Sequence, residues 1–354
     1  MAHATQHTAA HTDAINDFLA GLPQFDVAPL WKVLGQQLTP EPKSQARPYL
    51  WRWKDIRPQL LRAGELVSAA EAERRVLMLL NPGLEGRVAT THTLFAGLQL
   101  ILPGEVARTH RHTPGALRFI IEGEGAYTVV DGEKMTMAPG DFVLTPNWTW
   151  HDHGSESAGP VIWLDGLDLP LARMLEGIFF EPYAEESQPL AKPLNGSVAS
   201  YGTSGLLPTW QRSTSAYSPL LKYAWTDARA ALMRLGPEAA SPFDGLRLEY
   251  VNPVTGGPSL PTMASFLQRL TPGLQTQAHR HSASAVYLAV EGHGRTTIEG
   301  KAYDWTPGDV FAVPTWFWHA HENLSASADA ILFSFTDAPV MKALDLYREQ
   351  AQEE

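Results

Sequence analysis

The chain says nearly the same thing twice. Residues 103–124 read PGEVARTHRHTPGALRFIIEGE, and residues 272–293 read PGLQTQAHRHSASAVYLAVEGH. Each stretch has a matching continuation, PGDFVLTPNWTWHDH at 139–153 and PGDVFAVPTWFWHAH at 307–321. His110 falls on His279, His112 on His281 and Gly123 on Gly292 at an offset of 169 residues, while His151 falls on His319 and Pro146 on Pro314 at 168. One residue is therefore dropped ahead of the turns Asp131-Gly132 and Glu299-Gly300. Solenoid repeats run about 20–50 residues, so a period this long is a duplicated domain. Any site that one copy builds from its histidines can be built again by the other.

With 354 residues the chain has room for two ordinary domains and additional segments. A net charge of −11 argues against a nucleic-acid groove, which needs clustered basic residues. No apolar run approaches the length of about 18 residues that spans a membrane. MAHATQHTAAHTDA has neither the basic start nor the apolar stretch of a secretory signal, so a cytoplasmic protein is expected. The absence of cysteine removes disulfides and thiolate ligands, leaving imidazole and carboxylate to hold any metal.

The spacing predicts an N-terminal helical arm (1–85), a first β unit (86–170), a helical and loop linker (171–245), a second β unit (246–338) and a C-terminal helix (339–354). Residues 1–12 read as a disordered tail, whose His3, His7 and His11 at i, i+4 would hold a stray metal only if helical. DAINDFLAGL, APLWKVLGQQL and SAAEAERRVLMLL have helical spacing, the last behind Ser68 as N-cap. YLWRWKDIRP, with Trp51 and Trp53, is an aromatic arm suited to packing on a neighbouring element or subunit. From about Thr90 the runs HTLFAGLQLILPG, ALRFIIEG, GAYTVVDG and DFVLTP are short, β-branched and aromatic, divided by Gly, Pro and Asp-Gly turns. LARMLEGIFF is a helix, 183–220 a long Pro-, Ser- and Gly-rich connection, and a further helix near 218–235 leads to the second unit at Leu246. VMKALDLYREQ forms the C-terminal helix. Asn81-Pro82 and Asn252-Pro253 extend the repeat upstream of the histidines.

Residues i and i+2 of a strand share a face, so His110 and His112 can both enter one barrel interior. His151, after the turn at Pro139-Gly140-Asp141 and a Pro-x-Trp-x-Trp segment, can be brought beside them on a later strand. Gly104, His-x-His, Gly123, Pro146 and His151 have the spacing of the cupin motif, and the second copy repeats it in His279, His281 and His319. A single histidine on a strand is ordinarily a core or surface polar group. Here eight of the thirteen histidines fall at matching places in the two copies, which favours metal ligation.

Many cupins carry a glutamate four residues after the second histidine; this chain has Ala116 and Ala285 there. Each set is therefore three neutral imidazoles, unlike the two-histidine, one-carboxylate triad. The bound cation would keep its full charge and open positions for a chelating anion and O₂. Zinc also accepts three histidines, so the ligands alone do not separate it from Fe(II). Arg118, six residues after His112, has the parity to face the same cavity as a fork for a carboxylate, or to pair with a structural acid. His153 shares the parity of His151 and can act behind the metal as a proton carrier, or sit solvated at a strand end. Gln99 can bond a substrate oxygen or satisfy buried backbone.

AERRVLMLLNPGL, LQLILPGE, HRHTPGALRFIIEGEGAYT, LTPNWTWHDHG and WLDGLD resemble the gentisate 1,2-dioxygenase family, whose relatives act on salicylate and 1-hydroxy-2-naphthoate. The likeness runs from about Ala28 to the C-terminus. It implies an all-β dominated bicupin of two jelly-roll barrels, assembled as a homotetramer, with Fe(II) in the first cupin domain and a second iron left open in the other. It further implies ring cleavage between the carboxyl- and hydroxyl-bearing carbons, which takes gentisate and O₂ to maleylpyruvate. Carried over by position, His110, His112 and His151 hold iron, Arg118 holds the substrate carboxylate, His153 contacts a ring oxygen, and Gln99, Asp165 and Arg74 line the pocket. Phe95 stands where salicylate-cleaving relatives have an aromatic residue. The second copy keeps His279, His281, His319 and His321 but has Tyr287 for Arg118 and Ser334 for Asp165. Its cavity would need an arginine from elsewhere, such as Arg247 or Arg295. The competing readings are a non-catalytic binding or storage bicupin and a zinc or manganese isomerase or lyase.

Overall fold

The computed structural model describes residues 9–210 and 212–352, so His3 and His7 lie outside the described residues. Of the described residues, those up to 43 form one compact unit and those from 44 onward another. The first unit holds α1 (Ala9–Gly21), a 3₁₀ turn at Leu22–Phe25 and α2 (Leu30–Gln37). Residues 9–12, expected as tail, belong to α1, because no helix breaker precedes Gly21 and Pro23.

The second unit carries the repeat. Its first half contains β1 (Tyr49–Trp51), β2 (Val76–Met78), β3 (Phe95–Ile101), β4 (Val106–His112), β5 (Ala116–Glu122), β6 (Ala126–Val130), β7 (Glu133–Met137), β8 (Phe142–Thr145), β9 (His151–Ser155), β10 (Val161–Leu167), β11 (Phe180–Pro182) and β12 (Lys222–Tyr223). The second half contains β13 (Leu246–Glu249), β14 (Ala264–Leu270), β15 (His279–His281), β16 (Ala285–Glu291), β17 (Gly294–Ile298), β18 (Lys301–Trp305), β19 (Val310–Val313), β20 (His319–Asn323), β21 (Ala330–Thr336) and β22 (Glu349–Ala351). The helices here are α3 (Trp53–Leu66), α4 (Ala69–Ala72), α5 (Leu169–Met174), α6 (Gly196–Tyr201), α7 (Trp225–Met233) and α8 (Ala338–Ala343).

Among the described residues the first barrel pairs a six-stranded sheet, β12-β8-β5-β10-β3-β2, with a five-stranded one, β11-β4-β9-β6-β7. The second repeats the arrangement in β1-β19-β16-β21-β14-β13 and β18-β17-β20-β15-β22. The expected hairpin turns close β6–β7 and β17–β18. Asp131 and Gly132, like Glu299 and Gly300, both take positive φ, as a two-residue turn matching strand twist requires. Asn81 and Asn252 each accept a backbone N–H two residues on, from Gly83 and Val254, which explains the repeated Asn-Pro.

Strands β3 and β21 are buried along their whole length. Their sheets face the barrel interior on one side and the other barrel on the other, so the alternation of a half-exposed strand is lost. Between the barrels, Phe119 stacks on Phe333 with ring centroids 4.4 Å apart, and Phe142 and Tyr250 complete the cluster.

The arm segments cross over. β1, from the segment ahead of the first barrel, pairs with β19 of the second, and β12, from the linker ahead of the second barrel, pairs with β8 of the first. The helix behind each is docked reciprocally: Trp53 N donates to Asp309 Oδ1 at 2.7 Å, and Trp225 N to Asp141 Oδ1 at 2.9 Å. One turn on, Arg57 forks Glu122 and Arg229 forks Glu291. The aromatic arm thus packs within its own chain, on the opposite barrel.

Several helices are shorter than the sequence spacing predicts. Ser68 does cap, in a capping box with Glu71, but α4 is one turn long and residues 76–78 pair with β3. LARMLEGIFF and VMKALDLYREQ each split into a short helix and a strand, β11 and β22, that pairs beside a His-x-His strand. Pairing with an exposed sheet edge satisfies more backbone than another helical turn would. The 183–220 connection contains α6 and is anchored through Gln188, which donates to Asp152, to the Val129 carbonyl and to the Trp150 carbonyl.

Candidate metal centre

His110 and His112 lie on β4, and His151 and His153 on the neighbouring β9. The register runs Ala107 opposite His153 and His110 opposite His151, so three residues of β4 span two of β9. This bulge at Arg108–Thr109 aims the histidines into the barrel. The ligand nitrogens of His110, His112 and His151 lie within 4.8 Å of one another. Nδ1 of His112 faces the Pro114 carbonyl at 2.8 Å and Nδ1 of His151 the Thr149 carbonyl at 2.9 Å. Each ring thus donates from Nδ1 and keeps an Nε2 lone pair for a cation.

Burial keeps these rings neutral. His112 is driven down to about 4 and His110 to about 2 by desolvation, with Arg118 and Arg74 adding to it; His151 and His153 also lie well below the ordinary imidazole range. Three neutral imidazoles suit a divalent cation, which need displace no proton to bind them.

Arg118 reaches the site by a different route from the one its parity suggests. The turn at Thr113-Pro114-Gly115 ends β4, and Arg118 stands on β5 in the six-stranded sheet. Its charge still depresses all four histidines. Across β10 it faces Asp165, which in turn faces Gly97 on β3. Arg118 Nε lies 3.1 Å from Asp165 Oδ1, within ion-pair range but off the hydrogen-bond line, and Nη1 donates to Thr145 Oγ1 at 2.8 Å. Burial pushes Asp165 up to about 6, against the pull of Arg118 and the Trp163 indole N–H. Arg118 is therefore both a paired buried cation and a neighbour of the triad.

Arg74 Nη2 sits 2.9 Å from His110 Nδ1 and donates to the Arg108 carbonyl at 2.8 Å; burial lowers Arg74 to about 10. A guanidinium can only donate, so this contact opposes the Nδ1–H form of His110 that metal binding through Nε2 needs. Gln99 is buried between Val76 and Trp163 on the adjoining strands, and Phe95 folds its ring over Gly97. His153 Nε2 is buried without a partner, while its Nδ1 meets Thr128 Oγ1 at 2.9 Å. The Thr128 hydroxyl donates to Met137 Sδ, so it accepts from Nδ1–H and leaves Nε2 with a lone pair. Sequence reasoning missed Thr128, Thr145 and Trp163. Thr128 carried a signal, since Thr296 holds His321 in the same way at the repeated position.

The second set is assembled as closely: His279, His281 and His319 also lie within 4.8 Å. Nδ1 of His281 faces the Ala283 carbonyl and Nδ1 of His319 the Phe317 carbonyl. Tyr287 takes the place of Arg118, its ring 5.1 Å from that of His321. Of the two arginines considered, Arg295 is engaged with Asp304 on the outer hairpin, whereas Arg247 lies on β13 opposite Gln268 and pairs with Asp244 at 2.7 Å.

The cupin domain family matches residues 97–167 and 266–336. The chain is 44% identical over 342 residues to gentisate 1,2 dioxygenase 1 of Aquipseudomonas alcaligenes, covering 96% of this chain and 97% of that protein. It belongs to the gentisate 1,2-dioxygenase family. A 5-aminosalicylate 1,2-dioxygenase of Comamonas sp is 41% identical, with 96% and 90% covered. The crystal structure of a salicylate 1,2-dioxygenase from Pseudoaminobacter salicylatoxidans with gentisate superimposes with a TM-score of 0.91 at 32% identity, covering 100% of this chain and 98% of that one. The bicupin fold expected of the gentisate dioxygenase family is thus the observed one, and the chain is a ring-cleaving dioxygenase rather than a storage protein. No helix among the described residues is long and apolar enough to cross a membrane.

Proposed function

We propose that the chain cleaves gentisate with O₂ to maleylpyruvate, using Fe(II) held by His110, His112 and His151. The observation that carries this reading is Arg118, a buried guanidinium held by Asp165 and Thr145 beside a triad of neutral imidazoles. With Ala116 where other cupins have a glutamate, the protein offers no negative charge to the cation, so a doubly anionic chelate balances it best. Arg118 binds the substrate carboxylate and fixes its plane, with Asp165 keeping the fork from turning. Arg74 adds a second positive charge, and Gln99 and Phe95 bound the ring. His153 Nε2 takes the proton of the ortho hydroxyl, its lone pair directed there by Thr128. Fe(II) held by His110, His112 and His151 would supply the oxygen chemistry.

The reading treats residues 86–170 and 246–338 as the two cupin domains and the assembly as a homotetramer. Exposed Met174, Leu175, Phe179 and Phe180, with Leu344 (the repeat counterpart of Leu175) and the nearby Leu346, support burial against other copies. The test is oxygen uptake by Fe(II)-loaded protein with gentisate, 5-aminosalicylate, salicylate and 1-hydroxy-2-naphthoate. Gentisate should be turned over with the highest kcat/KM. Faster consumption with salicylate or 1-hydroxy-2-naphthoate would replace the substrate, and none with any of the four would remove the proposal.

A further inference from the structure

The repeat continues past each barrel. α5 and β11 in the first half correspond to α8 and β22 in the second, at the same offset of 169 residues that relates His110 to His279. Phe180 opens β11 opposite His112, and Glu349 opens β22 opposite His281. The two residues occupy one position in the fold and treat their histidines differently. Phe180 packs its ring on His110, centroids 5.0 Å apart. Glu349 sets Oε1 3.3 Å from Nδ1 of His279. The first triad therefore has a cation, Arg74, against Nδ1 of its leading histidine, and the second has an anion.

A carboxylate accepts and does not donate, so His279 presents Nδ1–H to Glu349 and an Nε2 lone pair to its own cavity. All three rings of the second set are thereby in the metal-ready form without rearrangement. Phe243 stacks on His279 with an interplanar angle of 2°, which fixes the ring. Nε2 of His279 and Nε2 of His319 are buried with no partner. A buried polar atom left in that state is costly, and a shared cation removes the cost for both. The rest of the cavity is not suited to an aromatic acid. Tyr287 and Ser334 replace the Arg118–Asp165 pair, and Arg247 is engaged by Asp244.

We propose that His279, His281 and His319 form a second divalent-cation site, set by Glu349 from the C-terminal strand, which clamps that strand to the barrel rather than processing the aromatic substrate. A carboxylate behind a ligating histidine raises its basicity and holds its orientation, and losing such a group typically weakens binding about 10–100-fold. Binding at His279 and docking of residues 349–351 thus reinforce each other.

Apoprotein titrated with Co(II), read by its visible absorption and by metal analysis after gel filtration, should take up one ion at each of the two histidine sets. His112→Ala should retain the second ion, and His281→Ala should lose it. Glu349→Gln should weaken that ion about 10–100-fold, and Glu349→Asp should recover part of the loss. Hydrogen exchange at 346–352 should slow on metal addition in the native chain and much less in Glu349→Gln. A single ion per chain, an unchanged second affinity in Glu349→Gln, or exchange at 346–352 indifferent to metal would each overturn the proposal. Gentisate turnover is read separately: its absence with both ions bound removes the functional reading and leaves this one standing.

Discussion

Arg118 and Asp165 face each other across neighbouring strands, Nε 3.1 Å from Oδ1, both almost wholly buried beside the first triad. A pair like this admits two roles for the arginine, a structural partner for a buried acid or a held fork for a substrate carboxylate, and the two make different demands on mutants.

Arg118→Ala should raise KM for gentisate strongly and leave iron content intact, since truncating one partner of a buried charge pair typically costs about 2–5 kcal/mol. It also strands Asp165, which lowers stability. Adding Asp165→Asn should restore much of the melting temperature but not kcat/KM. Recovery of both in the double variant would make the arginine structural only.

His112→Ala should abolish oxygen uptake and strip the first site of iron, because two imidazoles without a carboxylate hold the cation weakly. Metal analysis alongside turnover checks this. Full iron at that site with near-normal turnover would place the chemistry elsewhere.

Acid should destabilise the apoprotein, and the sign follows from the buried rings. His110 at about 2, His112 at about 4, and His151 and His153 well below the usual range stay neutral in the fold, whereas unfolded imidazoles titrate near about 6.5. Below that pH the unfolded chain binds protons the folded chain does not, so stability drops as pH falls. Asp165, raised to about 6, acts oppositely: between about 4 and 6 the folded state keeps a proton that the unfolded state has lost. Asp168, Glu249 and Asp337 are raised as well, but the second set's His279, His281, His319 and His321 are lowered like the first, so the rings outnumber the carboxylates. Calorimetry of metal-free protein should show the melting temperature falling from pH 7 to 5, and a rise over that interval would contradict the buried-neutral assignment.

Phe333→Ala should cost about 3–5 kcal/mol, since it empties a fully buried position stacked on Phe119 between the barrels. Because the crossed arms tie the barrels together, urea unfolding should remain a single lowered transition. Separate unfolding of the two halves would show that the Trp53–Asp309 and Trp225–Asp141 links do not couple them.

The duplicated His-x-His segments, the turns at Asp131-Gly132 and Glu299-Gly300, and the lagging His151 and His319 are local patterns, and local pattern is what a sequence displays. They sufficed for two barrels, two triads, the missing acid at Ala116 and Ala285, and the loss of the arginine at Tyr287. Strand parity put His153 beside His151 correctly because one strand carries both. It ran Arg118 on along the strand of His112, whereas Pro114 and Gly115 turn the chain and Arg118 stands on β5 in the other sheet. Which barrel β1 and β12 join, that Asp165 pairs with Arg118, that Arg74 meets His110 and that Glu349 meets His279 depend on contacts between segments tens to hundreds of residues apart. Such contacts are set by sheet edges left open and by charges left buried, quantities that exist only once the chain has closed on itself.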